Sequence, residues 1–293
     1  MNKQKNVVKK MEIFDYINVV VLLIFTLLIV IPVWNVFASS FATNQALARG
    51  FIFWPSESTL QNYRRVLSDD SLGLAFVVSV LKTVIGVVTH VFFCAMVGYG
   101  MSKSHLLNRK VYTTMGIISM YFSGGMIPTY LLIRSLGMLN SFSVYIIPAL
   151  LSYFDVIILL NFFRAVPSSL EESAKIDGAY DFKIFTSIYI PLSKPVFATI
   201  ALFNGVWQWN DFMTARLYIT NESLYPLQMK LFQVIVQAQL AQSQNINAAI
   251  EIMTTTRGVQ LAMIVVSTVP ILVIYPLLQK HFVSGMMLGA VKE

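Results

Sequence analysis

The chain has 293 residues, of which 56% are hydrophobic and only 12% are charged, and its formal net charge is +7. Soluble domains carry about 25% charged residues, so this composition excludes an ordinary soluble enzyme or binding module and indicates an integral membrane protein. The positive charge does not indicate nucleic-acid binding, because the sequence contains no Arg-rich or aromatic-interleaved basic patch.

Six apolar runs are each long enough to cross a bilayer, which needs about 20 largely apolar residues. They cover residues 17–38, 74–99, 111–133, 142–163, 196–215 and 260–280. The runs are continuous rather than alternating, which favours helices over the strands of a barrel. The sequence therefore predicts an all-α membrane protein. Its six-helix transmembrane domain covers residues 17–280, between an N-terminal segment, 1–16, and a C-terminal tail, 281–293.

The distribution of Lys and Arg residues predicts the orientation of these helices. Thirteen of the 21 lie in the N-terminus, in the connections after the second and fourth runs, and in the tail together with the last residue of the sixth run, against seven in the other connections. Both termini and the connection 164–195 are therefore expected in the cytoplasm. The lysines before the first run are also typical of a signal peptide. That run is longer than the apolar region of such peptides, so an uncleaved helix is expected.

Polar and aromatic side chains interrupt the fourth and fifth apolar runs. Polar groups are costly in lipid, so such residues usually face a protein interior or a cavity. The amides and indoles of the fifth run suit hydrogen bonding and stacking to sugar rings, and the fourth run adds a tyrosine and an aspartate. The candidates for a substrate path are Tyr153, Asp155, Asn204, Trp207, Trp209 and Asn210.

These positions also have structural interpretations. Tryptophans in the fifth run are typical of an interfacial belt, and its amides are typical of helix–helix contacts. Asp155 has Lys82 or His90 of the second run as a candidate partner, whereas Lys82 can instead extend its charge towards the membrane surface. Glycines and prolines predict irregular helix in the third and fourth runs. They are Gly124, Gly125, Pro128 and Pro148.

The polar connection 164–195 carries signals for a short helix. Ser169 and Glu172 have the spacing of a capping box and follow Pro167, so they predict a helix start. Gly178 lies where such a helix would end in a left-handed turn. Apolar or small side chains form one face of the helix at Leu170, Ser173, Ala174 and Ile176. A short helix held at a membrane surface is well suited to docking into the groove of a partner.

A second amphipathic stretch is predicted after the glycine. Asp181 is expected to cap it, and it must end near Pro191 because proline interrupts a helix. Its inward-facing side chains are expected to be Phe182, Phe185 and Ile188.

Several motifs resemble those of a known family. Glu172-Ser173-Ala174, then Gly178 and Ile188–Pro191, resemble the "EAA…G…I-LP" loop of binding-protein-dependent ABC importer permeases, with Ser173 and Ile190 as departures from it. The resemblance is greatest to the smaller, maltose-type permease subunit of carbohydrate importers, in the branch associated with oligo- and polysaccharides. Other segments that carry it are FSGGMIPTYLL (122–132), IDGA (176–179), PLSKP (191–195), WND (209–211) and SGMMLGAVKE (284–293).

The resemblance implies a multi-pass subunit of an ATP-driven importer in the bacterial cytoplasmic (inner) membrane, with a carbohydrate as cargo and alginate as a specific candidate. The implied partners are a second, larger permease in a heterodimer, two ATP-binding subunits that hold ATP and Mg, and a soluble extracytoplasmic substrate-binding protein. The C-terminal tail is expected to contact the ATPases as well. The residues expected to couple the chain to them are Glu171, Glu172, Ser173, Ala174, Asp177, Gly178, Ala179 and Pro191.

Motifs for catalysis are missing from the sequence. It contains no GxxxxGK[ST] loop for ATP phosphates, no HExxH or Cys/His cluster for a metal, and no GxSxG nucleophile. The chain is therefore expected to bind no cofactor and to be a transport subunit rather than an enzyme. Two alternatives stay open. One is a permease for another solute, such as a polyol or a sugar phosphate, and the other is a membrane scaffold that recruits an ATPase without forming a pore.

Overall fold

The structure is a computed structural model that describes residues 13–244, 257–274 and 276. Within these ranges the fold is helical, as predicted, and an isolated bridge pairs Ala42 with Ser58. Residues 1–12 and the tail 281–293 lie outside the described residues. The helices are α1 (Ile13–Ser40), α2 (Asn44–Ala48), α3 (Gln61–Leu67), α4 (Asp70–Ser102), α5 (Arg109–Tyr121), α6 (Met126–Ser135), α7 (Tyr153–Arg164), α8 (Ser168–Ile176), α9 (Asp181–Leu192), α10 (Lys194–Asn210), α11 (Met213–Tyr218), α12 (Leu227–Gln244) and α13 (Arg257–Ile274).

Three of these helices, α1, α4 and α13, are individually long and apolar enough to cross a membrane. Three bent pairs satisfy the same test together: α5 with α6, the 3₁₀ segment Phe142–Ala149 with α7, and α9 with α10. Their bend angles are 112°, 49° and 82°, respectively. If each bent pair is one span, the described residues contain six, which is the predicted number.

The bends lie close to glycines and prolines. Gly125, between α5 and α6, has a φ of +89°, which a residue with a side chain rarely adopts. Pro148 lies in the 3₁₀ segment before α7, and α9 ends one residue after Pro191. Pro128 does not break its helix, because it occupies the first turn of α6, where no intrahelical hydrogen bond is lost.

The described residues form two compact units. Residues up to Val66 with Gln237–Val265 form the first, and Leu67–Val236 with the residues from Val266 form the second. In the first unit, small and aliphatic side chains after α1 form a local core, and Asn62 donates hydrogen bonds to the carbonyl oxygens of Ser40 and Ala42.

In the second unit, α4 packs along α7 and α10. The buried side chains of this core include Cys94, Val156, Leu159 and Ile200. Cys94 is a free thiol packed in this interior. The core therefore holds α4, α7 and α10 as one bundle, from which the loop with α8 and α9 extends.

Candidate functional site

The connection between α7 and α10 forms the short helix α8, which has no buried residue. Leu170 is 42% exposed and Ile176 is 86% exposed. Exposed apolar side chains on a short helix leave a surface available to a partner protein.

The beginnings of α8 and α9 differ from the sequence prediction. The helix α8 begins at Ser168 with Pro167 as its N-cap, and no side chain caps it, so the predicted capping box is wrong. Ser169 is already inside the first turn, where the backbone is helical and the side chain is no longer at the capping position. Asp181 is likewise the first residue of α9 rather than its cap.

The buried face of α9 also differs from the prediction in part. Phe185 is buried and Ile188 is partly buried against the core, as expected, but Phe182 is 52% exposed, and the other buried side chains are Ile184 and Tyr189. Residues Phe185–Tyr189 form a π-helical turn. A π-helical turn holds more residues than an α-helical one, which rotates the buried face away from the spacing expected for an α-helix.

Gly178 ends α8 as predicted. Its φ is +78°, and its N–H donates to the carbonyl oxygen of Lys175 while the N–H of Ala179 donates to that of Ala174. These two bonds define a Schellman motif, which satisfies carbonyl groups at the helix end. The exposed Asp177 is the C-cap residue. The turn thus presents Asp177 and Gly178 at the exposed end of the loop.

The two neighbouring glutamates of α8 face in different directions. Glu172 is exposed. One carboxylate oxygen of Glu171 accepts hydrogen bonds from Lys103 Nζ at 2.6 Å and from the Tyr189 hydroxyl at 2.8 Å. Its other oxygen accepts a bond from Lys175 Nζ at 2.8 Å. Glu171 thus connects α8 to the end of α4 and to the π-helical turn of α9.

Two adjoining aromatic rings contact the ammonium group of Lys103. Its Nζ lies 3.8 Å from the ring centroid of Tyr99 and 4.7 Å from that of Tyr189, which are cation–π distances. The hydroxyl of Tyr99 donates to the carbonyl oxygen of Asp181 at 3.2 Å. We call Glu171, Lys103, Lys175, Tyr99 and Tyr189 the Glu171 cluster.

The pKa of Glu171 reflects these contacts. Burial alone raises the pKa of a carboxyl group, but the hydrogen bonds from Lys103, Lys175 and Tyr189 stabilise the anion and lower the pKa of Glu171 to about 2. The carboxylate therefore stays ionised at neutral pH. No local pattern in the sequence indicates this cluster, because Lys103 and Tyr189 lie 68 and 18 residues from Glu171.

Three of the six substrate-path candidates line one cavity of 410 Å³, which lies among α4, α7 and α10. They are Asp155, Asn204 and Trp207, and His90 joins them. The Nε2 atom of His90 lies 3.0 Å from Asp155 Oδ2, and its Nδ1 atom lies 2.7 Å from the carbonyl oxygen of Ala149. We call this space the His90–Asp155 cavity.

The remaining three candidates lie elsewhere. Tyr153 lines a neighbouring cavity of 680 Å³ beside α5. Trp209 is buried and donates its indole N–H to the carbonyl oxygen of Ser267 at 2.9 Å, which is a contact between helices. Asn210 is exposed and its amide donates to the carbonyl oxygen of Val206 in its own helix.

Lys82 has a different partner from those that the sequence suggested. Its Nζ lies 2.7 Å from Asp211 Oδ2 and 2.7 Å from the backbone oxygen of the same residue. The Lys82 side chain is fully buried, so it does not extend to the membrane surface. Asp211 is the C-cap residue of α10, and this ion pair therefore joins the middle of α4 to the end of α10.

None of the family models compared with the chain matches it. The chain is 41% identical to the polygalacturonan/rhamnogalacturonan transport system permease protein YtcP of Bacillus subtilis, over 97% of this chain and 99% of the relative. It is 42% identical to protein LplC of the same organism, over 96% of this chain and 95% of the relative. Its identity to the multiple sugar-binding transport system permease protein MsmG of Streptococcus mutans is 31%, over 97% of this chain and 100% of the relative.

A solved structure is similar as well. It is the crystal structure of a bacterial ABC transporter involved in the import of the acidic polysaccharide alginate, and one of its chains matches with a TM-score of 0.84 and 33% identity. The match covers 92% of this chain and 96% of that chain. The shared architecture therefore includes nearly the whole of both chains.

Proposed function

Because the chain belongs to the family of permease subunits of carbohydrate ABC importers, we propose that its cargo is an acidic polysaccharide or an oligosaccharide derived from one. As a member of this family it is a multi-pass membrane protein and a transport component rather than an enzyme. Its relative YtcP is named for polygalacturonan and rhamnogalacturonan, and the similar structure belongs to an importer of alginate. These polymers share uronate units, which supports an acidic cargo here.

The observation that supports a saccharide cargo is the chemistry of the His90–Asp155 cavity, whereas the acidic character of that cargo rests on the relatives. Trp207 is 54% exposed and supplies a flat aromatic face. Asn204 supplies an amide oxygen that is buried and has no hydrogen-bond partner among the described residues. A stacking surface beside hydrogen-bonding groups suits a sugar ring, and the cavity volume lies within the range of about 300–1,000 Å³ that is usual for ligand sites.

The position of this cavity suits a path through the membrane. Asn204 lies ten residues after the start of α10, which is about 15 Å along a helix that rises 1.5 Å per residue. A bilayer core is about 30 Å thick, so this amide lies near its middle if α10 follows the membrane normal. We propose that Asn204 and Trp207 contact the passing saccharide and that Asp155, which is held by His90, lines the path.

A second cavity in the same unit has a mainly apolar lining, in contrast to the His90–Asp155 cavity. Trp209 lies there with Pro270, Ile271 and other mainly apolar side chains of α4, α10 and α13. Such a lining offers little hydrogen bonding to a saccharide. Of these two cavities, the His90–Asp155 cavity is therefore the one with polar and aromatic groups suited to a saccharide.

We also propose that α8 is the contact for the ATPase. The exposed Glu172, Ser173, Asp177 and Gly178 would face the partner, whereas Ala174 and Ala179 are partly buried against the bundle. ATP and Mg would be held by two separate ATP-binding subunits, and a second permease and a soluble extracytoplasmic binding protein would complete the importer. With α8 and both termini in the cytoplasm, motion of the ATPases would rock the attached spans between inward-open and outward-open states.

The experiment that tests the cargo is ATP hydrolysis by the reconstituted importer. The complete complex, with its binding protein, is assayed in proteoliposomes with oligogalacturonates, alginate oligosaccharides, neutral maltooligosaccharides of matched length, and a sugar phosphate. We expect the acidic oligosaccharides to stimulate hydrolysis and to accumulate inside the vesicles.

Other outcomes have distinct meanings. Equal stimulation by neutral oligosaccharides would contradict the acidic cargo but not the import of carbohydrate. Stimulation by the sugar phosphate alone would favour the alternative of another solute. Binding of an ATPase without transport of any solute would favour a scaffold.

A further inference from the structure

The helix α8 would be a poor transmitter of force if its exposed surface were all that held it. It is only nine residues long, no residue in it is buried, and short loops join it to α7 and α9. A push on such a helix can be lost as tilting or sliding. The structure therefore needs a contact that fixes α8 to the membrane bundle.

The inner face of α8 provides that contact. Glu171 and Ala174 are three residues apart, so they lie on one face of the helix. Ala174 packs against the buried core of α4, α7 and α9, and Glu171 bonds to Lys103 and Tyr189. The neighbouring Glu172 is exposed, so the two glutamates divide the helix into an inner and an outer face.

The surroundings of Lys103 favour contact of its ammonium group with a carboxylate rather than with water. Lys103 is 9% exposed, caps the end of α4, and its ammonium group lies over the adjoining rings of Tyr99 and Tyr189. A buried ammonium group is costly unless a partner compensates its charge. An apolar contact would tolerate sliding, whereas a partly buried ion pair with defined hydrogen bonds fixes one geometry.

We propose that Glu171 and Lys103 are positioning residues that clamp α8 to α4 and α9, so that displacement of α8 moves the spans. The π-helical turn places Tyr189 against Glu171. The hydroxyl of Tyr99 donates to the carbonyl oxygen of Asp181, the first residue of α9. The clamp thus joins three helices at one carboxylate. This inference rests on the proposed role of α8 as the ATPase contact, but the rigidity of α8 can be measured independently of that role.

The test uses the full importer complex and four variants. Glu171→Gln keeps the shape of the side chain and removes its charge. Lys103→Met keeps a long unbranched side chain and removes the ammonium group. Lys103→Arg is the conservative variant, since it keeps the positive charge. Glu172→Gln is the matched control, because it makes the same change on the exposed face of the same helix.

The first measurement is amide hydrogen exchange of residues 168–177 in the complex of the two permeases without ATPase. Loss of a charge-assisted hydrogen bond is expected to raise the exchange rate about tenfold in Glu171→Gln and Lys103→Met. Exchange in Lys103→Arg and Glu172→Gln is expected to stay near that of the unmodified protein. Unchanged exchange in Glu171→Gln would overturn the clamp.

The second measurement is the amount of saccharide imported per ATP hydrolysed, together with the amount of ATPase that co-purifies. In Glu171→Gln we expect the ATPase to remain bound while import per ATP falls, because an α8 that has detached from α4 and α9 does not pass its displacement to the spans. Lys103→Arg is expected to restore most of the import that Lys103→Met loses. If Glu171→Gln instead loses its bound ATPase, Glu171 is a docking residue and the clamp is wrong.

The two proposals can fail separately. If no ATPase binds the unmodified complex, the proposed function of α8 fails, while the exchange measurement still tests the clamp. If Lys103→Met does not fold, Glu171→Gln and Lys103→Arg still provide the comparison.

Discussion

Two lysines, one in the middle of α4 and one at its end, form ion pairs with carboxylates at levels about 31 Å apart along the helix. Lys82 pairs with Asp211 at the end of α10, and the two side chains are 0% and 9% exposed. Lys103 pairs with Glu171 of α8, and these side chains are 10% and 14% exposed. The first pair joins two helices of the packed bundle, whereas the second joins the bundle to a helix with an exposed outer face.

The second oxygens of the two carboxylates also differ in their partners, one of which lies at the start of α11 and the other on the exposed helix α8. The second oxygen of Asp211 accepts the backbone N–H of Thr214, so the ion pair also fixes the start of α11. The second oxygen of Glu171 binds Lys175, whose side chain is 46% exposed. Similar chemistry therefore supports the fold at one level and the position of a contact helix at the other.

The largest effect on stability is expected when the Lys82–Asp211 ion pair is broken. Lys82→Met leaves the carboxylate of Asp211 buried and unpaired, which costs about 3–5 kcal/mol of stability. We expect a large fall in the melting temperature of the detergent-solubilised complex. The double variant Lys82→Met with Asp211→Asn is expected to recover part of this loss, because no charge is left buried. Equal melting temperatures of Lys82→Met and the unmodified protein would show that the pair does not support the fold.

The second largest effect is expected on saccharide uptake, from a change in the turn after α8 that leaves the fold intact. Gly178→Val places a β-branched residue at a φ of +78°, where side chains are disfavoured even though the space that a β-carbon would occupy is open, with no neighbouring atom within 4 Å. The turn must change shape, so we expect saccharide uptake to be abolished while membrane insertion and melting temperature are retained. The measurements are uptake by proteoliposomes and thermal unfolding.

Gly178→Asn is the matched control, because asparagine tolerates the left-handed conformation better than other residues with side chains. It is expected to keep a substantial part of the uptake. If valine and asparagine have the same small effect, the shape of the turn does not matter for coupling.

The comparison of the two ion pairs also shows what local sequence patterns can predict. Apolar runs identify the spans, because burial in lipid needs a length of apolar chain that is visible in the sequence. The glycine of the α8 turn is equally visible, because a positive φ selects that residue type. Both ion pairs escape such patterns, since their partners are 129 and 68 residues apart.

The phase of α8 explains why local patterns do not identify the inward-facing glutamate. The capping-box spacing points to Glu172, but the helix packs with Glu172 on its exposed face and with Glu171 turned inward towards Lys103. A shift of one residue rotates a helix by about 100°, so a small error at the start changes which side chain meets the bundle. The candidates in α10 show the same limit, because Trp207 and Trp209 line different cavities.

A smaller effect is expected in the His90–Asp155 cavity. Trp207→Ala removes one stacking surface, worth up to about 1.5 kcal/mol, so the saccharide concentration for half-maximal stimulation of ATP hydrolysis should rise by up to about tenfold. Asn204→Leu should act in the same direction, because it removes the unpaired amide. Asn210→Ala provides the comparison on the same helix outside the cavity, and an effect there as large as that of Trp207→Ala would contradict the proposed site.

The smallest effect is expected from pH. The pKa of Glu171 is lowered from 4.5 to about 2, so its contacts stabilise the folded loop fully above pH 4.5, and this contribution is lost as the pH falls towards 2. Between pH 5 and 8 the carboxylate does not change its charge. Amide exchange of residues 168–177, corrected for the intrinsic dependence on pH, should therefore show constant protection over this range and weaker protection below it. A marked loss of protection between pH 8 and 5 would mean that another titrating group, and not the Glu171–Lys103 pair, controls the position of α8.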